Sequence, residues 1–168
     1  LVLVVATGFV FAGMVGESGN SKTLEITTSV NAVNNFGFST NKITSVTDTI
    51  SDAASSYSVG DFGTKYAYYR TNEKGTFYYT LTSSPFVADD TDVTTKIGYA
   101  LSVDGTPVTV GEGDTSKVLI AKTTVTNGGT AQQIKSYSLG SVALTQADVD
   151  VAVSGGYTAT LTVTVSST

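Results

Sequence analysis

Alternation of apolar and polar residues runs through most of the chain and predicts β-strands. The clearest run lies near its end, where five apolar residues alternate with threonines: Tyr157, Ala159, Leu161, Val163 and Val165. Successive side chains of a strand point to opposite faces, so this period of two predicts a half-buried strand over residues 156–165. The strand carries no charge and no proline. Left exposed at the edge of a sheet, it is expected to recruit another strand or to aggregate.

A second alternating run begins at Lys22 and also predicts a half-buried strand. The residues on its more apolar side are Leu24, Ile26, Thr28, Val30 and Ala32. A polar loop is predicted directly after it, from the turn-forming residues Asn34, Asn35 and Gly37.

Aromatic residues concentrate in the middle of the chain. Residues 65–70 and 76–82 predict two strands, and the short polar stretch 71–75 between them predicts a hairpin. Its tyrosines and phenylalanines fit a ligand-binding face, but we favour packing in the core and across the strands.

Further strands are predicted at residues 96–103, 107–110, 117–126 and 133–139, with a tight turn at Asp104-Gly105 between the first two. Residues 43–59 fit one short helix by the spacing of their apolar residues, but their Thr and Ser content favours strand or loop, and residues 144–153 are mixed. About eight to ten strands at short spacing predict an all-β fold, a single immunoglobulin-like or jelly-roll sandwich. The predicted domain spans residues 22–168, and an apolar N-terminal extension, residues 1–21, precedes it.

The first sixteen residues, LVLVVATGFVFAGMVG, contain no charge. Three interpretations stay open. The segment is the end of a secretory signal peptide, in which Val10 and Ala12 fit the small-residue pattern for cleavage before Gly13. Alternatively, it is a retained extended segment that inserts into a neighbouring subunit, or a shortened hydrophobic helix like that of type IV pilins. All three imply export, so we expect a secreted protein that meets the membrane only during export.

Composition narrows the function classes. The net charge is −5, and the nine basic residues are scattered, so nucleic-acid binding is not expected. The chain has no His and no Cys, which removes the commonest acid–base, nucleophilic and transition-metal side chains. No nucleophile elbow or phosphate-binding loop is present. We therefore expect no enzyme and no cofactor.

Acidic residues in two loops resemble the oxygen-rich clusters that hold Ca²⁺. The candidates are Asp89, Asp90, Asp92, Glu112 and Asp114. No twelve-residue EF-hand loop is present, so solvated loops are the favoured interpretation.

Two stretches carry a resemblance to a known family. The first, SKTLEITTSVNAV at residues 21–33, resembles the N-terminal strand of fimbrial major subunits of the chaperone–usher pathway, nearest to the class with a Lys-led, Thr-rich start. The second, GGYTATLTVTV at residues 155–165, is similar to the last strand of spore-coat-U-like and archaic pilins. Many members of this family carry a disulfide, whereas this chain has no Cys.

The resemblance implies an incomplete immunoglobulin-like fold whose groove is filled by the N-terminal strand of the next subunit. It implies Leu24, Ile26, Thr28, Val30 and Ala32 as the inserted side chains, and an assembly chaperone and usher as partners. If the apolar start is itself retained, Val4, Phe9 and Phe11 join the interface. Two further comparisons are then equally good: bacterial and archaeal filament subunits that donate an N-terminal strand, and archaeal type IV-like pilins.

The expected function is therefore that of a structural subunit of an extracellular, cell-surface filament, a pilus or fimbria active in cell adhesion. The subunit polymerises with copies of itself by donor-strand complementation. The alternatives are a secreted β-sandwich binding or adhesion module and an S-layer or biofilm-matrix protein.

Overall fold

A computed structural model describes residues 27–30, 32–129 and 131–167. The chain divides after Val30, and the second unit, Asn31–Thr168, holds every strand described. Among the described residues 50% lie in strands and 4% in a helix, so the all-β prediction is confirmed. The strands are β1 (Asn34–Ser39), β2 (Lys65–Thr71), β3 (Gly75–Ser83), β4 (Phe86–Ala88), β5 (Lys96–Ile97), β6 (Tyr99–Val103), β7 (Thr106–Val110), β8 (Lys117–Asn127), β9 (Gln133–Leu144), β10 (Tyr157–Thr158) and β11 (Leu161–Ser167), and helix α1 (Gln146–Val151) follows β9.

The described residues form three antiparallel sheets. The five-stranded sheet has the order β1-β2-β9-β6-β7, the core three-stranded sheet has the order β11-β3-β8, and a small sheet has the order β10-β4-β5. Apolar residues of the two larger sheets share one buried cluster, as in a sandwich. Tyr79 of β3 stacks on Tyr137 of β9 across this core, with ring centres 5.6 Å apart.

The outer face of β2 is buried as well, because residues 40–62 fold over it. Ile43 is 1% exposed. Arg70 donates from Nη1 to the carbonyl oxygens of Asp48 (2.6 Å) and Ser45 (3.4 Å). The Asp48 carboxylate accepts hydrogen bonds from the backbone N–H groups of Thr44 and Ser45, which hold the pKa of Asp48 below its usual value. Residues 43–59 are thus loop, as one of the favoured alternatives predicted, and residues 40–62 form an irregular cover over β2.

The predicted loop at Asn34–Gly37 is wrong, since the first described strand, β1, begins there. Its pairing with β2 explains the difference: Phe36 lies opposite Tyr69 and Phe38 opposite Ala67. The predicted strand from Lys22 is not found in its described part, because residues 27–30 and Ala32 lie in no strand. Residues 22–26 lie outside the described residues.

The predicted aromatic hairpin is also wrong. Strands β2 and β3 form close to their predicted bounds, but β2 pairs with β1 and β9, whereas β3 pairs with β11 and β8. Both strands need to bury an aromatic face, and the sandwich achieves this by placing the faces opposite each other. The ring centres of Tyr69 and Phe77 lie 5.8 Å apart. Residues 72–74 therefore cross from one sheet to the other.

Two predicted strands are interrupted. The strand at residues 96–103 breaks at Gly98, whose N–H donates to Asp148 Oδ2 (2.8 Å) at the start of α1. A Cβ atom at Gly98 would lie 2.9 Å from that oxygen, closer than a side chain permits. The strand at residues 156–165 breaks at Ala159 and Thr160, where the chain passes from the small sheet to the core three-stranded sheet.

The tight turn at Asp104-Gly105 is confirmed. Both residues have positive φ values, 46° and 80°, as a type I′ turn requires. The predicted alternation of the last strand is confirmed too, since Leu161, Val163 and Val165 are half-buried and the threonines between them are exposed. Within the described residues, no helix is both long and apolar enough to cross a membrane.

Candidate functional site

Three of the four described edges of the two larger sheets, β7, β8 and β1, are protected or partly covered against further strand pairing. β7, at one edge of the five-stranded sheet, contains Pro107, which has no N–H to offer. β8, at one edge of the core three-stranded sheet, carries Lys117 and Lys122 and pairs irregularly with β3. Charged side chains, proline and irregular pairing all protect sheet edges.

The outer edge of β1 is partly covered by the chain itself. The N–H of Ala53 donates to Phe38 O (3.1 Å), and the N–H of Thr40 donates to Ser51 O (2.8 Å). Ser39 and Asp52 form an isolated β-bridge between these bonds. The end of β1 therefore has a backbone partner on both sides.

Strand β11 has none of these protections. It is a seven-residue edge strand without charge or proline, and it pairs with β3 without a register shift. No other strand of the described residues lies along its second side. An edge of this kind offers a row of unpaired backbone groups to another strand.

The register shows which residues of β11 face that open side. Just before the strand, Ser84 N–H donates to Thr160 O (3.0 Å), so Ser84 and Thr160 form a hydrogen-bonded pair. Hydrogen-bonded and non-hydrogen-bonded pairs alternate along an antiparallel ladder. The N–H and C=O groups of Leu161, Val163 and Val165 therefore point away from β3, toward the open side. The same three side chains pack against the core.

A cavity of about 350 Å³ lies at the start of β11. Its lining joins Phe38 of β1 and Leu161 of β11 to residues 53–59 of the cover. The rings of Phe86 and Tyr99 also line it and meet edge to face, with centres 5.0 Å apart. β1 and β11 are edge strands of different sheets, so the cavity opens between the two sheets.

Lys65 is the one charged residue among the described residues that line this cavity. It is only 9% exposed. Its ammonium group donates to Phe62 O and lies 4.2 Å from the centre of the Tyr57 ring. Tyr99 also lines the cavity, and its hydroxyl forms a hydrogen bond with Ser83 Oγ. Burial raises the pKa of Tyr99, and the bond to Ser83 opposes the rise.

Three of the predicted interface residues lie among the described residues, and none of the three is buried. Thr28, Val30 and Ala32 are exposed, and Val30 is 83% exposed. Val4, Phe9, Phe11, Leu24 and Ile26 lie outside the described residues.

Three of the acidic candidates accept hydrogen bonds, Asp90 and Asp114 within their own loops and Asp89 from β10. Asp89 accepts from Thr158 Oγ1 (2.8 Å), Asp90 accepts from Asp92 N–H (3.0 Å), and Asp114 accepts from Gly111 N–H (2.8 Å). Within the described ranges, no group of three or more His, Cys, Asp or Glu residues could hold a metal ion.

Sequence reasoning missed the cavity. Its walls come from residues 38 to 161, so nothing in the local pattern could have revealed it. The nearest signal was the aromatic cluster, but the aromatic residues of β3 point elsewhere: Phe77 and Tyr79 lie in the core. Tyr78 packs under Lys122, whose Nζ lies 3.7 Å from the ring centre.

Comparison of the chain with protein-family models, with curated proteins and with solved structures gives no match.

Proposed function

We propose that the protein is a structural subunit of an extracellular filament, and that it polymerises by donating its N-terminal strand to the next subunit. The observation that carries this proposal is the open edge of β11. The edge is uncharged, and its apolar residues direct backbone groups outward, whereas β7 and β8 are protected and the end of β1 is covered. Such an edge is the acceptor required for β-strand addition.

The donated strand comes from residues 22–32. Their alternation places Leu24, Ile26, Thr28, Val30 and Ala32 on one side, which suits a strand buried on one face. Seven residues of strand extend about 23 Å, so the eleven residues of the donor are long enough for the whole of β11. The described part of this segment lies in no strand of its own subunit.

An assembly chaperone is an expected partner of such a subunit. A subunit that waits for its neighbour exposes the β11 edge, and an uncovered edge aggregates. A chaperone that occupies β11 until assembly prevents this, and it acts in the secretion pathway through which the subunit reaches the cell surface.

A second candidate function is a secreted binding or adhesion module, which the aromatic cavity favours. A module of this kind needs no neighbour, whereas the filament subunit does. Negative-stain electron microscopy of the purified full chain separates the candidates: fibres support the subunit, a lattice supports a surface-layer protein, and single particles support the module.

Strand donation predicts a period of two in the effect of added charge. Ile26→Asp should reduce filament yield at least tenfold, because an unpaired carboxylate buried against the core costs several kcal/mol. Thr27→Asp, one residue further along, should assemble like the parent chain because its side chain faces solvent. Sedimentation of filaments, with electron microscopy of the pellet, measures both.

Ile26→Asp and Thr27→Asp together also distinguish an inserted strand from an inserted helix. A helical packing of residues 22–32 groups positions three and four apart instead of two apart. Equal loss in both variants, or loss in neither, contradicts strand donation.

A further inference from the structure

We propose that the cavity beside Lys65 binds an aromatic anion, a one- or two-ring carboxylate. This is a ligand site within one subunit, and it does not depend on strand donation. Its volume of about 350 Å³ is at the lower end of the range for small-molecule sites. An apolar, aromatic lining with few polar groups is typical of such sites.

The walls favour a flat apolar body. Phe38, Tyr57, Phe86 and Tyr99 all contribute to the lining. Aromatic side chains pack favourably on ligand rings in offset or edge-to-face arrangements. Tyr57 is 36% exposed, which places it where it can cover an entering ligand.

The charge of the ligand follows from Lys65. A buried ammonium group is costly unless it is paired, and no carboxylate of the described residues lines the cavity. The ammonium carries three donors, and the described structure accounts for one of them, the bond to Phe62 O. The nearby Tyr57 ring supplies a cation–π contact but no acceptor for a directed bond. A ligand carboxylate beside Lys65 completes this environment.

Long-range attraction does not favour an anion, because the net charge of the chain is −5. The selectivity must therefore arise locally, from the contact between the carboxylate and Lys65. The Lys65 side chain alone should therefore determine whether the cavity prefers a carboxylate over a neutral analogue of the same shape.

The test uses 1-naphthoate and 1-naphthamide, which share a ring system and differ in charge. With the full chain, isothermal titration calorimetry should show naphthoate binding at one site per subunit and at least tenfold more tightly than naphthamide. Lys65→Met keeps the apolar stem but removes the charge, and it should weaken naphthoate to the level of naphthamide. Tyr57→Leu should weaken both probes, because it removes a wall of the cavity.

Lys122→Met is the matched control. Lys122 also lies over a tyrosine ring, but on β8 and not in the lining of the cavity, so its loss should leave both affinities unchanged. Circular dichroism confirms that each variant is folded. If Lys65→Met does not fold, the comparison of the two probes on the parent chain still tests whether the cavity prefers the anion. Equal affinity for the two probes, no binding of naphthoate, or unchanged naphthoate binding by a folded Lys65→Met variant overturns the proposal.

Discussion

Val163→Pro should abolish filament assembly while leaving the subunit folded. The N–H of Val163 points to the open side of β11, so proline removes no hydrogen bond to β3. Proline is tolerated on edge strands for this reason, and we expect a loss of about 1 kcal/mol or less in the free energy of unfolding. A donated strand, in contrast, loses a backbone bond at the centre of its contact and meets the pyrrolidine ring. Filament mass in the pellet should fall to background.

Thr109→Pro is the matched control for this variant. Thr109 lies on β7, another exposed edge, and the Asp104-Gly105 turn fixes its pairing. Because Val103 and Thr106 flank this two-residue turn, they form a hydrogen-bonded pair, and the alternation then directs the N–H of Thr109 away from β6. The same chemical change at this edge should leave filaments intact. If Val163→Pro still forms filaments, or if only Thr109→Pro loses them, the contact between subunits does not lie at the β11 edge.

Local signals predicted most of the strands, although not β1 or β4, and they did not predict the partners. Period-two alternation depends only on which face of a strand is buried, and it correctly assigned the two faces of β11. Pairing depends on what lies on the other side of the core. The short link between β2 and β3 has the length of a hairpin loop, yet the aromatic faces of Tyr69 and Phe77 are better buried opposite each other. No local pattern distinguishes these two outcomes.

The turns and breaks likewise separate into those that depend on local residues and those that depend on distant ones. Asp104-Gly105 was predictable because the positive φ values depend on those two residues themselves. The break at Gly98 was not, because it depends on Asp148, fifty residues away in the chain. The cavity likewise depends on long-range contacts between β1, the cover and β11.

The candidate site was predictable in one respect. An uncharged final strand without proline indicated a vulnerable edge, and the structure places β11 at an edge of the core three-stranded sheet. The outward direction of its backbone groups required the register, which the sequence does not contain. The second half of the proposed contact, residues 22–32, remains a prediction from alternation alone.

Buried tyrosines provide a second large effect, at alkaline pH. Tyr69 and Tyr79 are fully buried, Tyr99 is 3% exposed and Tyr68 is 4% exposed. Burial raises the pKa of all four hydroxyls above the usual value of 10. Each therefore stabilises the fold below about pH 10, and this contribution is lost as the pH rises from there toward the folded pKa. Each unit of separation between folded and unfolded pKa corresponds to about 1.4 kcal/mol per tyrosine.

We therefore expect cooperative unfolding above about pH 11, in which a late rise of phenolate absorbance at 295 nm coincides with the loss of the β-sheet circular dichroism signal. If all nine tyrosines ionise while that signal stays unchanged, burial does not control them.

Removal of the Tyr79 hydroxyl and removal of the Tyr99 hydroxyl should change the stability of the fold in opposite directions. Tyr79 Oη has no hydrogen-bond partner among the described residues, so Tyr79→Phe removes an unsatisfied polar group and should stabilise the fold at pH 7 by about 1 kcal/mol. Tyr99→Phe loses the bond to Ser83 Oγ and should destabilise it by about 1 kcal/mol. The midpoint temperature of thermal unfolding should shift by about 2–4 °C, upward for Tyr79→Phe and downward for Tyr99→Phe.

Tyr79→Phe should also raise the pH of alkaline unfolding, because one ionising group is gone. A downward shift for Tyr79→Phe at pH 7 would mean that its hydroxyl has a partner in the core, such as a buried water bound between the two sheets.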